Sequence, residues 1–122
     1  MTPEQLFKIA ATPAGRFARQ RPCPRISVVI CSHNGAATLG RTLDHVRRLD
    51  YPEYEVLVVD EGSTDGTVAV AREHGVRPIL AATGRAREAG AAEATGELVV
   101  YLDADACPEP GWLTALAAAR AA

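Results

Sequence analysis

Three short runs constrain this chain more than anything else in it: ISVVI at 26–30, VLVV at 56–59 and LVVYL at 98–102. Each is aliphatic or β-branched almost throughout. None shows the polar–apolar alternation of a strand with one face in water. Such runs belong to strands buried on both faces, and hence to a mostly parallel sheet covered by helices on either side. The residues between them agree. Leu39, Leu43 and Val46 are spaced four and three apart, the period of a helix with one apolar stripe. Asp50-Tyr51-Pro52 ends that helix. A second helix is predicted over residues 67–73, stopped at Gly75, and a third over 85–94, with Gly96 beyond it. Residues 76–80 read as a weaker strand and 112–121 as a final, alanine-rich helix. Strand–helix alternation with short loops predicts an α/β fold, a three-layer α/β/α sandwich around a Rossmann-like sheet.

At 122 residues the chain is one domain at most, able to bury about two thirds of its unfolded surface. Residues 1–24 differ in texture from the rest. With Pro3, Pro13, Pro22 and Pro24 they read as a leader or linker, in which Leu6, Phe7 and Ile9 could form one amphipathic helical turn. The domain proper is expected over residues 25–122. A net charge of −2 gives no reason to expect nucleic acid or an anionic membrane as partner. The longest apolar stretches are about five residues, against the ~20 that span a bilayer, and no hydrophobic signal core opens the chain. Cys23, Cys31 and Cys107 are odd in number and form no C-x-x-C pair, which suggests reduced thiols and a cytoplasmic setting. Lys8 is the only lysine beside twelve arginines, a bias expected of a GC-rich, bacterial genome. It also excludes any mechanism that needs a catalytic lysine in the core.

In an open parallel sheet, ligands bind outside the carboxyl ends of the strands, where strand order reverses. After the first strand come Cys31-Ser32-His33-Asn34-Gly35; after the second, Asp60-Glu61-Gly62-Ser63-Thr64-Asp65-Gly66; after the last, Asp103-Ala104-Asp105. Small polar and acidic groups therefore gather on one rim. Familiar phosphate loops do not fit. A Walker loop needs a lysine, and only Gly35 and Gly40 stand where a dinucleotide fingerprint needs three glycines. An acidic rim that receives a polyphosphate needs a divalent cation between the two, and Mg2+ and Mn2+ take carboxylate and phosphate oxygens together. One of Asp103 and Asp105 is then a candidate metal ligand.

The stretches SVVICSHNGAATLGRTLDHV, YEVLVVDEGSTDGT, GRAREAGAAEATGE and VVYLDADACPEPGWL resemble, in order and spacing, the nucleotide-binding half of a family 2 glycosyltransferase with the GT-A fold. The resemblance covers residues 26–113. It implies that Asp105 stands at the last position of a DXD motif, holding Mn2+ or Mg2+ against the diphosphate of a nucleotide sugar. It implies that Asp103 faces the ribose or the sugar, and that Cys31 and His33 line the base pocket. It further implies that Asp60 and Glu61 form the acidic pair at the base edge, and that Arg87 lies near base or diphosphate. The donor is then a UDP- or GDP-linked sugar, transferred with inversion to an unknown acceptor.

Two departures bear on the nucleotide. Cys31-Ser32-His33 stands where the family usually has Pro-Thr-aromatic, and Glu61 stands where Asp or Asn is usual. The family also carries a second half with the acceptor site and the general base. Nothing after Leu113 matches it, so the chain is expected to be a fragment that binds a donor without turnover. An exposed sheet edge would then favour a homo-oligomer.

Other readings stay open. Asp103 and Asp105 could be solvated loop carboxylates, and Asp65 reads mainly as a helix cap. The same fold could serve as a non-catalytic nucleotide- or protein-binding module. A nucleotidyltransferase would need basic residues after the first strand, and a phospho-receiver domain an acidic cluster there with a late lysine; neither is present.

Overall fold

The computed structural model of the protein describes residues 9–11 and 23–121. Its core is a five-stranded sheet in the order β1-β5-β2-β3-β4. The strands are β1 (Ile9–Ala11), β2 (Ile26–Ser32), β3 (Tyr54–Asp60), β4 (Ile79–Leu80) and β5 (Leu98–Asp103). The helices are α1 (Ala36–Arg47), α2 (Thr67–Glu73), α3 (Ala86–Glu93) and α4 (Trp112–Ala121). β2, β3, β4 and β5 are mutually parallel, and β1 runs antiparallel along the outer edge of β5.

The expected α/β sandwich is what forms. The buried stripe of α1 comprises Leu39, Thr42, Leu43 and Val46. It packs with Ile26, Val28, Ile30, Val58, Val100 and Leu102 on one face of the sheet, together with Ala71 of α2 and Trp112, Leu113 and Leu116 of α4. On the other face α3 lies against Val29, Val59 and Val99. Alternate residues of each strand thus feed opposite cores, which is why the strand sequences read as unbroken apolar runs. Gly75 ends α2 as expected. It takes φ 75°, its N–H donates to the Arg72 carbonyl at 2.9 Å, and Val76 N–H reaches the Ala71 carbonyl at 3.0 Å, a Schellman closure.

Several elements differ from the sequence reading. β2, β3 and β5 run on to Ser32, Asp60 and Asp103, so residues expected in loops are the last rungs of the ladder. β4 is only two residues long. Pro78 lacks an N–H to donate, and pairing with β3 is confined to Val59↔Ile79 and Asp60↔Leu80. Ile9, expected in a helical turn, belongs to a strand paired with Val100 instead, while Leu6 and Phe7 lie outside the described residues. At the opposite edge Leu80 is 72% exposed. Among the described residues no helix is long and apolar enough to cross a membrane.

Candidate functional site

The chain lays down β2, β3 and β4 in one direction and then returns to the other side of β2 as β5. The crevice between the carboxyl ends of β2 and β5 is therefore the point where strand order reverses. Cys31 and Asp103 are register partners there. A cleft of about 390 Å3 opens above them, with Cys31, His33 and Asn34 on one side and Asp103 and Asp105 on the other.

The last rung of β5 turns sharply. Ala106 N–H donates to the Asp103 carbonyl at 3.1 Å, closing a turn over Asp103–Ala104–Asp105. Ala104 is buried, 8% exposed, while both aspartates are exposed. Among the described residues neither carboxylate has an ion-pair partner. The turn buries its middle residue and leaves two exposed acidic groups lining the cleft, neither of them in an ion pair among the described residues.

The loop after β2 is held by the loop after β3. Asn34 takes the left-handed conformation, φ 53°, which asparagine tolerates better than most residues. Its N–H donates to Ser63 Oγ at 2.8 Å, and its Oδ1 accepts from Thr64 N–H at 2.8 Å. Gly35 N–H donates to Thr67 Oγ1 at 3.0 Å and Ala36 N–H to Asp65 Oδ2 at 3.1 Å. Asp65, read from sequence as a helix cap, in fact serves two helices, because its Oδ1 also accepts from Thr67 N–H at 3.0 Å. His33 Nδ1 lies 2.8 Å from the Glu61 carbonyl. A carbonyl only accepts, so that nitrogen carries a proton and donates to it.

Asp60 and Glu61 have different surroundings. Asp60 is 3% exposed, with Oδ2 accepting from Ser63 N–H at 3.1 Å. Its Oδ1, like Ser32 Oγ beside it in register, is buried with no hydrogen-bond partner among the described residues. Glu61, one residue on, is half-buried, and its Oε2 accepts from Gly84 N–H at 2.6 Å, tying the loop ahead of α3 to the rim. Arg87 is exposed on the first turn of α3, its guanidinium carbon 5.6 Å from the centre of the Tyr101 ring. Burial raises the Cys31 thiol to about 11, with Glu61 and Asp103 adding to the rise and Arg87 opposing it. Cys31, Glu61, Arg87 and Asp103 thus share one electrostatic neighbourhood.

Among the described residues no three His, Cys, Asp or Glu side chains group as a metal site. The donor set on offer is the pair of exposed carboxylates on one turn. Hard oxygen donors of this kind suit Mg2+ or Mn2+, which commonly complete their shells with water and substrate phosphates. Two contributors escaped the sequence reading. Asn34 was passed over because its role depends on a backbone angle. Thr42 left a signal, a polar residue inside the apolar stripe of α1.

A parallel α/β sheet with its acidic residues collected beside a reversal of strand order defines a ligand-binding domain of the Rossmann-like class. The comparisons narrow this. Residues 27–120 match glycosyl transferase family 2, and the chain belongs to that family. It is 34% identical over 101 residues to glycosyltransferase AglE of Haloferax volcanii, covering 74% of this chain and 33% of that protein. It superposes with a TM-score of 0.70 on mannosyltransferase PcManGT from Pyrobaculum calidifontis in complex with GDP-Man and Mn2+, at 31% identity, over 83% of this chain and 34% of that one. Glucosyl-3-phosphoglycerate synthase from Mycobacterium tuberculosis, solved with Mn2+, UDP and glucosyl-3-phosphoglycerate, gives a TM-score of 0.62 at 30% identity, over 72% of this chain and 36% of that one. The chain spans about a third of the length of each of these three proteins.

Proposed function

We propose that residues 25–122 form the donor-binding part of a glycosyltransferase that takes a UDP- or GDP-linked sugar. One observation carries the reading: Cys31, His33, Asp103 and Asp105 line a single cleft at the reversal of strand order. The nucleotide diphosphates bound by PcManGT and the mycobacterial synthase, each with Mn2+, support it.

In this reading Asp105 holds Mn2+ or Mg2+ against the donor diphosphate, and Asp103 faces the ribose or sugar. Cys31 and His33 border the base, and Glu61 meets its edge. Asp60 acts from beneath, through the Ser63 N–H that shapes the loop. Arg87 lies toward base or diphosphate. The bound ion would supply positive charge to the departing diphosphate. An acceptor hydroxyl attacks the anomeric carbon with inversion, and its proton goes to a base outside this donor half. The free cysteines agree with a cytoplasmic setting.

Calorimetric titration of the chain with UDP, GDP and dTDP, with and without Mn2+, tests this. One diphosphate should bind at least about tenfold more tightly with the ion, and Asp105→Asn should abolish that gain. Affinity indifferent to Mn2+ would overturn the role of Asp105. Failure of all three nucleotides to bind would favour a non-catalytic module of the same fold.

A further inference from the structure

The exposed aspartates of the cleft are held by contacts that touch neither of them. Thr42 is completely buried in the middle of α1, on the stripe otherwise made by Leu39, Leu43 and Val46. Its hydroxyl donates to the Ala104 carbonyl at 2.9 Å. Ala104 lies one residue past the end of β5, where the strand ladder no longer supplies a donor. At the start of the same helix, Gly35 faces the Ala104 side chain. A Cβ placed on Gly35 would stand 3.3 Å from the Ala104 Cβ and 2.7 Å from Ser32 Oγ, so the approach is as close as a glycine permits. The central residue of the Asp-Ala-Asp turn is thus held from α1 at its carbonyl by Thr42, while its methyl sits where any side chain at residue 35 would crowd it. With that residue fixed, the peptide planes on either side are fixed too, and with them the directions in which Asp103 and Asp105 leave the backbone.

We propose that Thr42 is a positioning residue for the divalent ion, acting through the Ala104 carbonyl. The proposal rests on the donor-binding reading and deepens it. Without the hydroxyl the Ala104 carbonyl loses its hold from α1, and the turn, though still closed by Ala106 N–H, no longer presents Asp105 in one fixed direction toward the ion. Valine is the informative replacement, because it keeps the branched shape and removes only the donor.

Two readouts on the 122-residue chain test it: affinity for UDP and GDP with and without Mn2+, and hydrogen exchange at the Ala106 amide, which closes the turn. In Thr42→Val the Mn2+-dependent gain in diphosphate affinity should fall about tenfold, the loss typical of residues one shell out from a metal. Diphosphate binding without metal, and binding of the monophosphates UMP and GMP, should stay unchanged. Exchange at Ala106 should quicken. Thr42→Ser, which keeps the hydroxyl, should restore both readouts. A folded valine variant with the wild-type metal gain and wild-type exchange overturns the proposal, as does a serine variant that behaves like valine. Should the valine variant not fold, Thr42→Ala makes the same comparison. A wild-type chain with no metal-dependent gain defeats the donor-binding reading. Ala106 exchange then still judges the hold of Thr42 on the turn, and no change in it overturns the assignment.

Discussion

Cys31 shows how much a residue's chemistry depends on its last-rung position. It occupies the penultimate place in β2, half-buried, with Asp103 across the ladder, and its thiol is raised to about 11. At pH 8 the reactive thiolate is then only about one part in a thousand of the population. Iodoacetamide should label the exposed Cys23 well before Cys31, as peptide mass spectrometry would reveal. Asp103→Asn removes a negative neighbour and should speed labelling at Cys31; equal rates at both cysteines in the wild-type chain would contradict the burial argument. The contrast between Asp60 and Glu61 has the same origin. Both were legible in the sequence as acidic residues at a strand end. Which of them faces inward was not, because alternation assigns faces only when the last rung is known, and β3 runs one residue further than its apolar run.

Elements were the most legible level. The stripe of α1, the Gly75 stop and the three buried strands follow from periodicity and turn chemistry alone. The two-residue β4 and the edge strand β1 do not, since both depend on which partner a short segment meets. Gly90 is instructive here. Its φ is unexceptional, yet a Cβ would lie 2.4 Å from Val29 Cγ1 and 3.2 Å from Val59 Cγ2. Glycine lets α3 sit directly on β2 and β3. Gly90→Ala would gain up to about 1 kcal/mol of helix propensity. The clash works the other way, with overpacking costing about 1–3 kcal/mol, and side chains standing on a sheet cannot retreat far. We expect net destabilisation, read as a lower urea midpoint. Because Arg87 rides on the same helix, nucleotide affinity should fall as well. An unchanged midpoint would mean that α3 shifts without cost.

Across the whole molecule, the two ends of the sheet are fastened differently. At the carboxyl end, loops bond one another around the cleft. At the amino end, Glu55 Oε2 alone accepts from Ser27 Oγ at 2.5 Å, Thr95 N–H at 2.6 Å and Thr95 Oγ1 at 2.8 Å, with Arg25 3.8 Å from its other oxygen. Burial pushes this carboxyl up, but those hydrogen bonds and the Arg25 charge outweigh it and hold it below the ordinary glutamate range. The clasp therefore stabilises the fold fully above the unfolded-state pKa and is lost as pH falls through the lower folded-state value. Glu55→Gln should cost about 1–3 kcal/mol at pH 7 and flatten the fall in melting temperature between pH 5 and pH 3, as followed by circular dichroism. A variant with the wild-type acid profile would move that role elsewhere.

The sheet is clad unequally. Among the described residues one side carries three helices and most of the core; on the other, α3 covers Val29, Val59 and Val99, and Leu57, Ile79 and Tyr101 are only partly buried. That sparser side is also the one on which Cys31, Glu61, Arg87 and Asp103 influence one another. A ligand bound on that side would cover part of this open surface, and its binding free energy would be added to that of folding.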